Sequence, residues 1–193
     1  MSDDPSPSIT GRAGLDALPG LTFDFDLLDE SLGETAFVRP VIEAAVSAAL
    51  LETIARTHVP MELSVRIVGN EESQGLNREY RGKDRPTNVL SFPGIDPDGL
   101  MDAFDQAEAG GPPAMLGDLV IAGPVVVAEA GEQNKKVHHH LAHLSVHGVL
   151  HLMGFDHIEE EDALEMEALE REILADLGIN DPYTLPDDMM DDE

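Results

Sequence analysis

Apolar and polar residues alternate over residues 21–26 (LTFDFD), which predicts a strand with one face buried. The alternation returns at residues 61–68 (MELSVRIV), a second predicted strand. Residues 87–92 and 116–121 read as two more, the third ended by Pro93 and Gly94. Between them the period lengthens. Residues 39–56 are rich in Ala, Val, Leu and Ile and predict a helix opened by Pro40, a favoured first-turn residue. Residues 70–80 predict a short helix capped by Asn70, with Glu71 and Glu72 in its first turn. Further helices are expected over 125–133 and over 137–153, the latter stopped by Gly154. In residues 159–177, Met166, Leu169, Ile173, Leu174 and Leu177 share one face, and Gly178 follows as a stop. Residues 94–115 hold Gly, Pro, Asp and Ala in loop proportions and predict an exposed loop. Strands interleaved with helices imply an α/β fold (α+β-like): a single domain with a mixed four-stranded sheet packed by about five helices.

Composition narrows the class. The chain has 193 residues, enough for one domain with tails. Residues 1–19 read as a disordered acidic leader, 20–183 as the domain and 184–193 as an acidic tail. Cysteine is absent, so disulfides are excluded and any metal must be held by His and carboxylates. The polar, acidic opening has no secretory h-region, and no stretch approaches the roughly 20 apolar residues of a membrane span. A cytoplasmic protein is expected. The formal charge of -28 repels nucleic acid on average, so any contact with RNA must be local.

Candidate chemistry gathers near the C-terminal third. Of eight histidines, seven lie between residues 138 and 157. His147 and His151 are one helical turn apart and can bind one ion together. Gly154 permits a sharp turn that brings His157 back as a third ligand. Three imidazoles with an open fourth position suit a catalytic zinc ion that activates water near neutral pH. Imidazole ligands also accept nickel and other metals. The spacing is that of H-E-x-x-H-x-x-G-x-x-H, except that Gly148 stands where a metalloprotease has its Glu base, which disfavours a peptidase. His138, His139, His140 and His143 read as a mostly solvated helix start, with His143 close enough to support the ligands from behind. Asp156 is expected to orient a histidine or cap the turn.

One basic island stands out. Arg78, Arg81, Lys83 and Arg85 fall within eight positions beside a predicted strand. Two readings stand: a phosphate-holding groove, or a solvated turn paired with Glu79 and Asp84.

Over about residues 61–183 the sequence resembles the YbeY family of bacterial endoribonucleases. The likeness rests on residues 76–84 (LNREYRGKD) running into 86–93 (PTNVLSFP), 116–121 (LGDLVI), 147–157 (HGVLHLMGFDH), 166–170 (MEALE) and 181–183 (DPY). Asn88 stands where many members carry Asp and others Asn. The resemblance implies metal-dependent cleavage of single-stranded RNA, with one zinc ion on His147, His151 and His157. It also implies roles in 3′-end maturation of small-subunit ribosomal RNA and in ribosome quality control, with the small subunit and its proteins as partners. Arg81 falls on the family's functionally important arginine, expected to bind phosphate and stabilise charge in the transition state. Arg78, Lys83 and Arg85 are expected to bind substrate. Rival readings are a non-catalytic, zinc-containing ribosome-assembly factor and a metal-dependent hydrolase of a small substrate.

Overall fold

The alternating segments form the sheet that the pattern predicts. In this computed structural model residues 14–183 are described. They run β1 (Leu21–Leu27), α1 (Thr35–Thr53), β2 (Met61–Val68), α2 (Asn70–Arg81), β3 (Val89–Pro93), α3 (Leu100–Glu108), β4 (Ala114–Ala122), α4 (Gly123–Glu132), α5 (Val137–Leu152) and α6 (Glu160–Asp176). The sheet order is β1-β2-β4-β3. β1, β2 and β4 are parallel neighbours, and β3 joins β4 antiparallel at the edge, so the sheet is mixed.

Alternation decides which face each side chain meets. Met61, Leu63, Val65 and Ile67 of β2 point with Val89, Leu119 and Ile121 into the main core, which α1, α5 and α6 complete. On the other face Val68, Leu90 and Val120 form a smaller cluster under Leu76 of α2. The helix expected over 137–153 is α5, at the centre of the packing, and it buries Leu141, Ala142, Leu144, Val146, Val149, Leu150 and Leu152.

Several expectations need correction. Residues 94–115 are not one exposed loop. They contain α3, whose Leu100, Phe104 and Ala107 are buried at helical spacing, and β4 begins at Ala114. Loop-like composition hid the i, i+4, i+7 pattern. Pro40 lies inside α1 and does not open it, since the helix begins at Thr35. The missing amide leaves the Ala36 carbonyl without its helical partner, but Ala36 is exposed and water can serve it. Asn70 is the first helical residue of α2, and Gly69 takes the cap position. Much of the expected leader and the whole expected tail lie outside the described residues. Within the leader, Leu15–Ala17 form a single 3-10 turn and Leu18 is buried against the core.

Candidate metal centre

His147 and His151 ride on the last two turns of α5, and the chain then reverses. The reversal is a Schellman cap. The Phe155 amide donates to the Leu150 carbonyl at 3.0 Å and the Gly154 amide to the His151 carbonyl at 3.1 Å. Gly154 has φ +94°, which L side chains rarely adopt, and a Cβ there would meet Pro97 at 2.8 Å. This turn brings His157 over the helix end. One ring nitrogen from each of His147, His151 and His157 lies within 4.8 Å of the others, a set that could hold a metal ion. Asp156 steadies the turn: its carboxylate accepts from the His157 amide at 2.7 Å and lies 3.5 Å from His157 Nδ1.

The hydrogen bonds behind the rings decide which nitrogens face forward. His147 Nδ1 lies 2.6 Å from the Glu170 carboxylate, and His151 Nδ1 lies 2.9 Å from the Phe155 carbonyl oxygen. Both partners are acceptors, so both Nδ1 atoms carry the proton and both Nε2 atoms present lone pairs. Those two lone pairs face each other at 3.1 Å. Two ligands at 2.0–2.1 Å from a tetrahedral ion are about 3.3 Å apart. The pair is therefore spaced for one shared cation, and the donor set fits zinc. Burial first, then the neighbouring His147 and His157, depress the His151 pKa to about 4, so its ring is neutral at pH 7 as a ligand must be.

Glu170, on α6, is fully buried. Burial alone would raise its pKa. Hydrogen bonds from His143 (3.1 Å), His147 and the Tyr183 hydroxyl outweigh that and bring it down to about 2. Sequence reasoning missed this carboxylate. A signal existed, because position 170 lies on the apolar stripe of α6 between Met166 and Ile173. His140 departs from expectation, whereas His143 stands behind the ligands as expected. His140 is not part of a solvated helix start, being 4% exposed and bonded to Glu129 at 2.8 Å, and His143 shares Glu170 with His147.

Gly148 has a steric reason. It faces the sheet, and its carbonyl accepts from Ser91 Oγ at 3.1 Å. A Cβ at 148 would meet Leu119 Cδ2 at 2.9 Å and Ser91 Oγ at 3.4 Å. The position that carries the base in zincins is packed against β3 and β4 here. Gly148→Glu is expected to lower stability by roughly 3 kcal/mol or more, through overpacking and an unpaired buried carboxylate, and to create no peptidase. Denaturant unfolding and a casein assay check both outcomes.

A cavity of about 430 Å³ adjoins the histidines. His147, His157, Glu170 and Tyr183 line one side, and Asn88, Glu129, Lys135 and His140 line another. Arg78, Arg81, Lys83 and Arg85 do not line it. They occupy the end of α2 and the loop after it, all exposed. Arg78 pairs with Asp84 at 3.4 Å. The loop is fastened to α2: Asn77 donates to the Arg85 carbonyl at 2.7 Å, and Ser73 Oγ to the Thr87 carbonyl at 2.8 Å. That fastening delivers Asn88 to the cavity wall.

Among known proteins, the family model described as Endoribonuclease YbeY matches residues 29–178. A Chromohalobacter salexigens protein named endoribonuclease YbeY is 58% identical over 122 residues, covering 63% of this chain and 72% of its own length. One of the same name from Colwellia psychrerythraea is 51% identical over 138 residues, covering 72% and 82%. The solution structure of a Thermotoga maritima protein superposes with a TM-score of 0.53 at 23% identity, over 81% of this chain and 89% of that one, and shows a shared fold. With its mixed sheet, its histidine triad on α5 and the turn that follows it, and a family match spanning most of its length, the chain belongs to the YbeY family.

Proposed function

We propose that this protein is a zinc-dependent endoribonuclease that cuts single-stranded ribosomal RNA. Its proposed setting is 3′-end maturation of small-subunit ribosomal RNA and ribosome quality control, in the cytoplasm, with the small subunit and its proteins as partners. Family membership supports RNA as substrate. The observation that carries metal dependence is the 3.1 Å approach of the His147 and His151 Nε2 atoms beside His157.

His147, His151 and His157 would hold the zinc ion, which would supply Lewis acidity and a water activated near neutral pH. The chain does the rest. Glu170 and the Phe155 carbonyl hold two imidazoles in the ligating tautomer. Arg81 pairs with the phosphate as charge builds during P–O bond cleavage. Arg78, Lys83 and Arg85 hold neighbouring phosphates, a local exception in an acidic protein. Among the described residues no helix is long and apolar enough to cross a membrane, which accords with a substrate met in aqueous solution.

The test uses zinc-supplied full-length protein with single-stranded and duplex fragments of the small-subunit RNA 3′ region. Cleavage of the single strand only, lost on chelation and restored by zinc, is the expected result. Arg81→Ala should keep its zinc and cut on the order of 10²-fold more slowly. RNA left intact by zinc-loaded wild type, with ribosome binding retained, would favour the assembly-factor reading.

A further inference from the structure

The cavity wall opposite the histidines is built from polar groups that the cleavage chemistry does not use. Glu129 Oε2 accepts from His140 Nε2 at 2.8 Å and from Asn88 Nδ2 at 3.0 Å. Asn88 Oδ1 is in turn occupied by the Val89 amide at 2.7 Å. The carboxylate is thus held by two side chains, Asn88 itself anchored to the backbone and His140 buried. Among the described residues its other oxygen, Oε1, has only the 3.3 Å contact with Asn88. The Glu129 side chain is 28% exposed and lines the cavity. Lys135 lines the same wall, and its ammonium uses one proton on the Pro182 carbonyl at 2.7 Å. Two protons remain. The wall therefore offers one rigid acceptor and one donor.

A fixed carboxylate beside the path of a polyanion repels phosphate, so it must face sugar or base. The hydrogen bond from His140, then that from Asn88, keeps Glu129 ionised below the usual carboxylate range, against the opposing effect of burial. It can accept and never donate. The volume is within the range of small-ligand sites, roughly 300–1,000 Å³.

Resting on the endoribonuclease reading above, we infer that Asn88, Glu129, Lys135 and His140 form a base-reading subsite beside the scissile bond. It takes a nucleobase with an exocyclic amino group next to a ring acceptor, the pattern of cytosine and adenine. The amino group donates to Glu129 Oε1, and Lys135 donates to the acceptor beside it. Uracil presents carbonyl oxygens where the amino group belongs, and these meet the carboxylate unfavourably.

The experiment is an internal competition. Zinc-loaded full-length protein receives equimolar single-stranded oligo-C and oligo-U carrying different dyes, and the ratio of the two kcat/KM values is read. Wild type should prefer oligo-C by about tenfold, the worth of one good base contact. Glu129→Gln turns an amide nitrogen toward the cavity and should bring the ratio to about one or below. Lys135→Met, a second route, should reduce it to about threefold. A ratio of rates in one tube does not respond to partial unfolding, so it separates base reading from structural support. Equal cleavage by wild type, or a preference kept by both variants, would overturn the inference alone. Cleavage of neither RNA by zinc-loaded wild type would instead remove the endoribonuclease reading and the subsite with it.

Discussion

Replacing His151 with alanine is expected to strip the metal and stop RNA cleavage while leaving the fold in place. A fully ligated zinc site is worth roughly 10–16 kcal/mol over four ligands, so one imidazole contributes about 3 kcal/mol, or about 150-fold in affinity. At buffered zinc the variant should be almost empty, and cleavage should fall at least in proportion. The fold should survive because His151 adds little to the core, which Leu141, Val146, Val149 and Leu150 of the same helix supply. Acid stability gives an independent readout. In chelator-stripped wild type the His151 pKa lies below its ordinary value of 6.5, at about 4, first because of burial and then because of His147 and His157. The unfolded chain therefore binds a proton more readily. This contribution to stability is complete above pH 6.5 and is lost as pH falls toward 4. His151→Ala should flatten the melting temperature across that window. Mass-spectrometric zinc content and melts between pH 4 and 7 check both parts. Full zinc occupancy in the variant would show that other groups hold the ion.

Glu170 carries the second large effect, and two substitutions divide it. In Glu170→Ala, ring N–H groups of His143 and His147 and the Tyr183 hydroxyl all lose their acceptor in a buried space. Each unsatisfied buried donor costs about 1–3 kcal/mol, so a loss of roughly 3–5 kcal/mol is expected in urea unfolding. Glu170→Gln keeps the volume but puts an amide where a carboxylate accepted. If its NH2 meets His147, that ring must move its proton to Nε2, the atom the metal needs. Zinc affinity should drop about 10–100-fold with most of the stability retained. The pH dependence differs from that of His151. Hydrogen bonding overcomes burial and holds Glu170 at about 2, below its ordinary 4.5. Its stabilisation is present above pH 4.5 and disappears as pH falls toward 2. Both variants should lose that lower transition and keep the His151 window. Unchanged zinc affinity in Glu170→Gln would mean that the carboxylate does not set the tautomer.

The parts of this molecule that were legible in its sequence are those where one local period governs. β1 and β2 alternate because one face is core and the other is not, and α6 repeats its apolar residues as an amphipathic helix must. The histidine triad was legible because i, i+4 spacing and a turn-permitting glycine are local geometry. Glu170 was not, because in a chain with 39 acidic residues its position on an apolar stripe is a single deviation, and its partners come from α5 and from Tyr183. The Asn88–Glu129–His140 group was hidden for the same reason: it joins three segments that meet only through the fold. α3 was lost because Pro97, Gly99, Gly110 and Gly111 flank it and give the whole stretch the composition of a loop.

His147 and His151 are held on a packed helix, whereas the His157 side chain is 56% exposed on the turn beyond it. The three arms of the triad thus differ in rigidity. Two are seated on the packed helix, and the third is carried by an exposed turn outside the core. An ion held by such a triad is expected to exchange without unfolding of the chain, unlike the ion of a zinc finger, whose binding is coupled to folding.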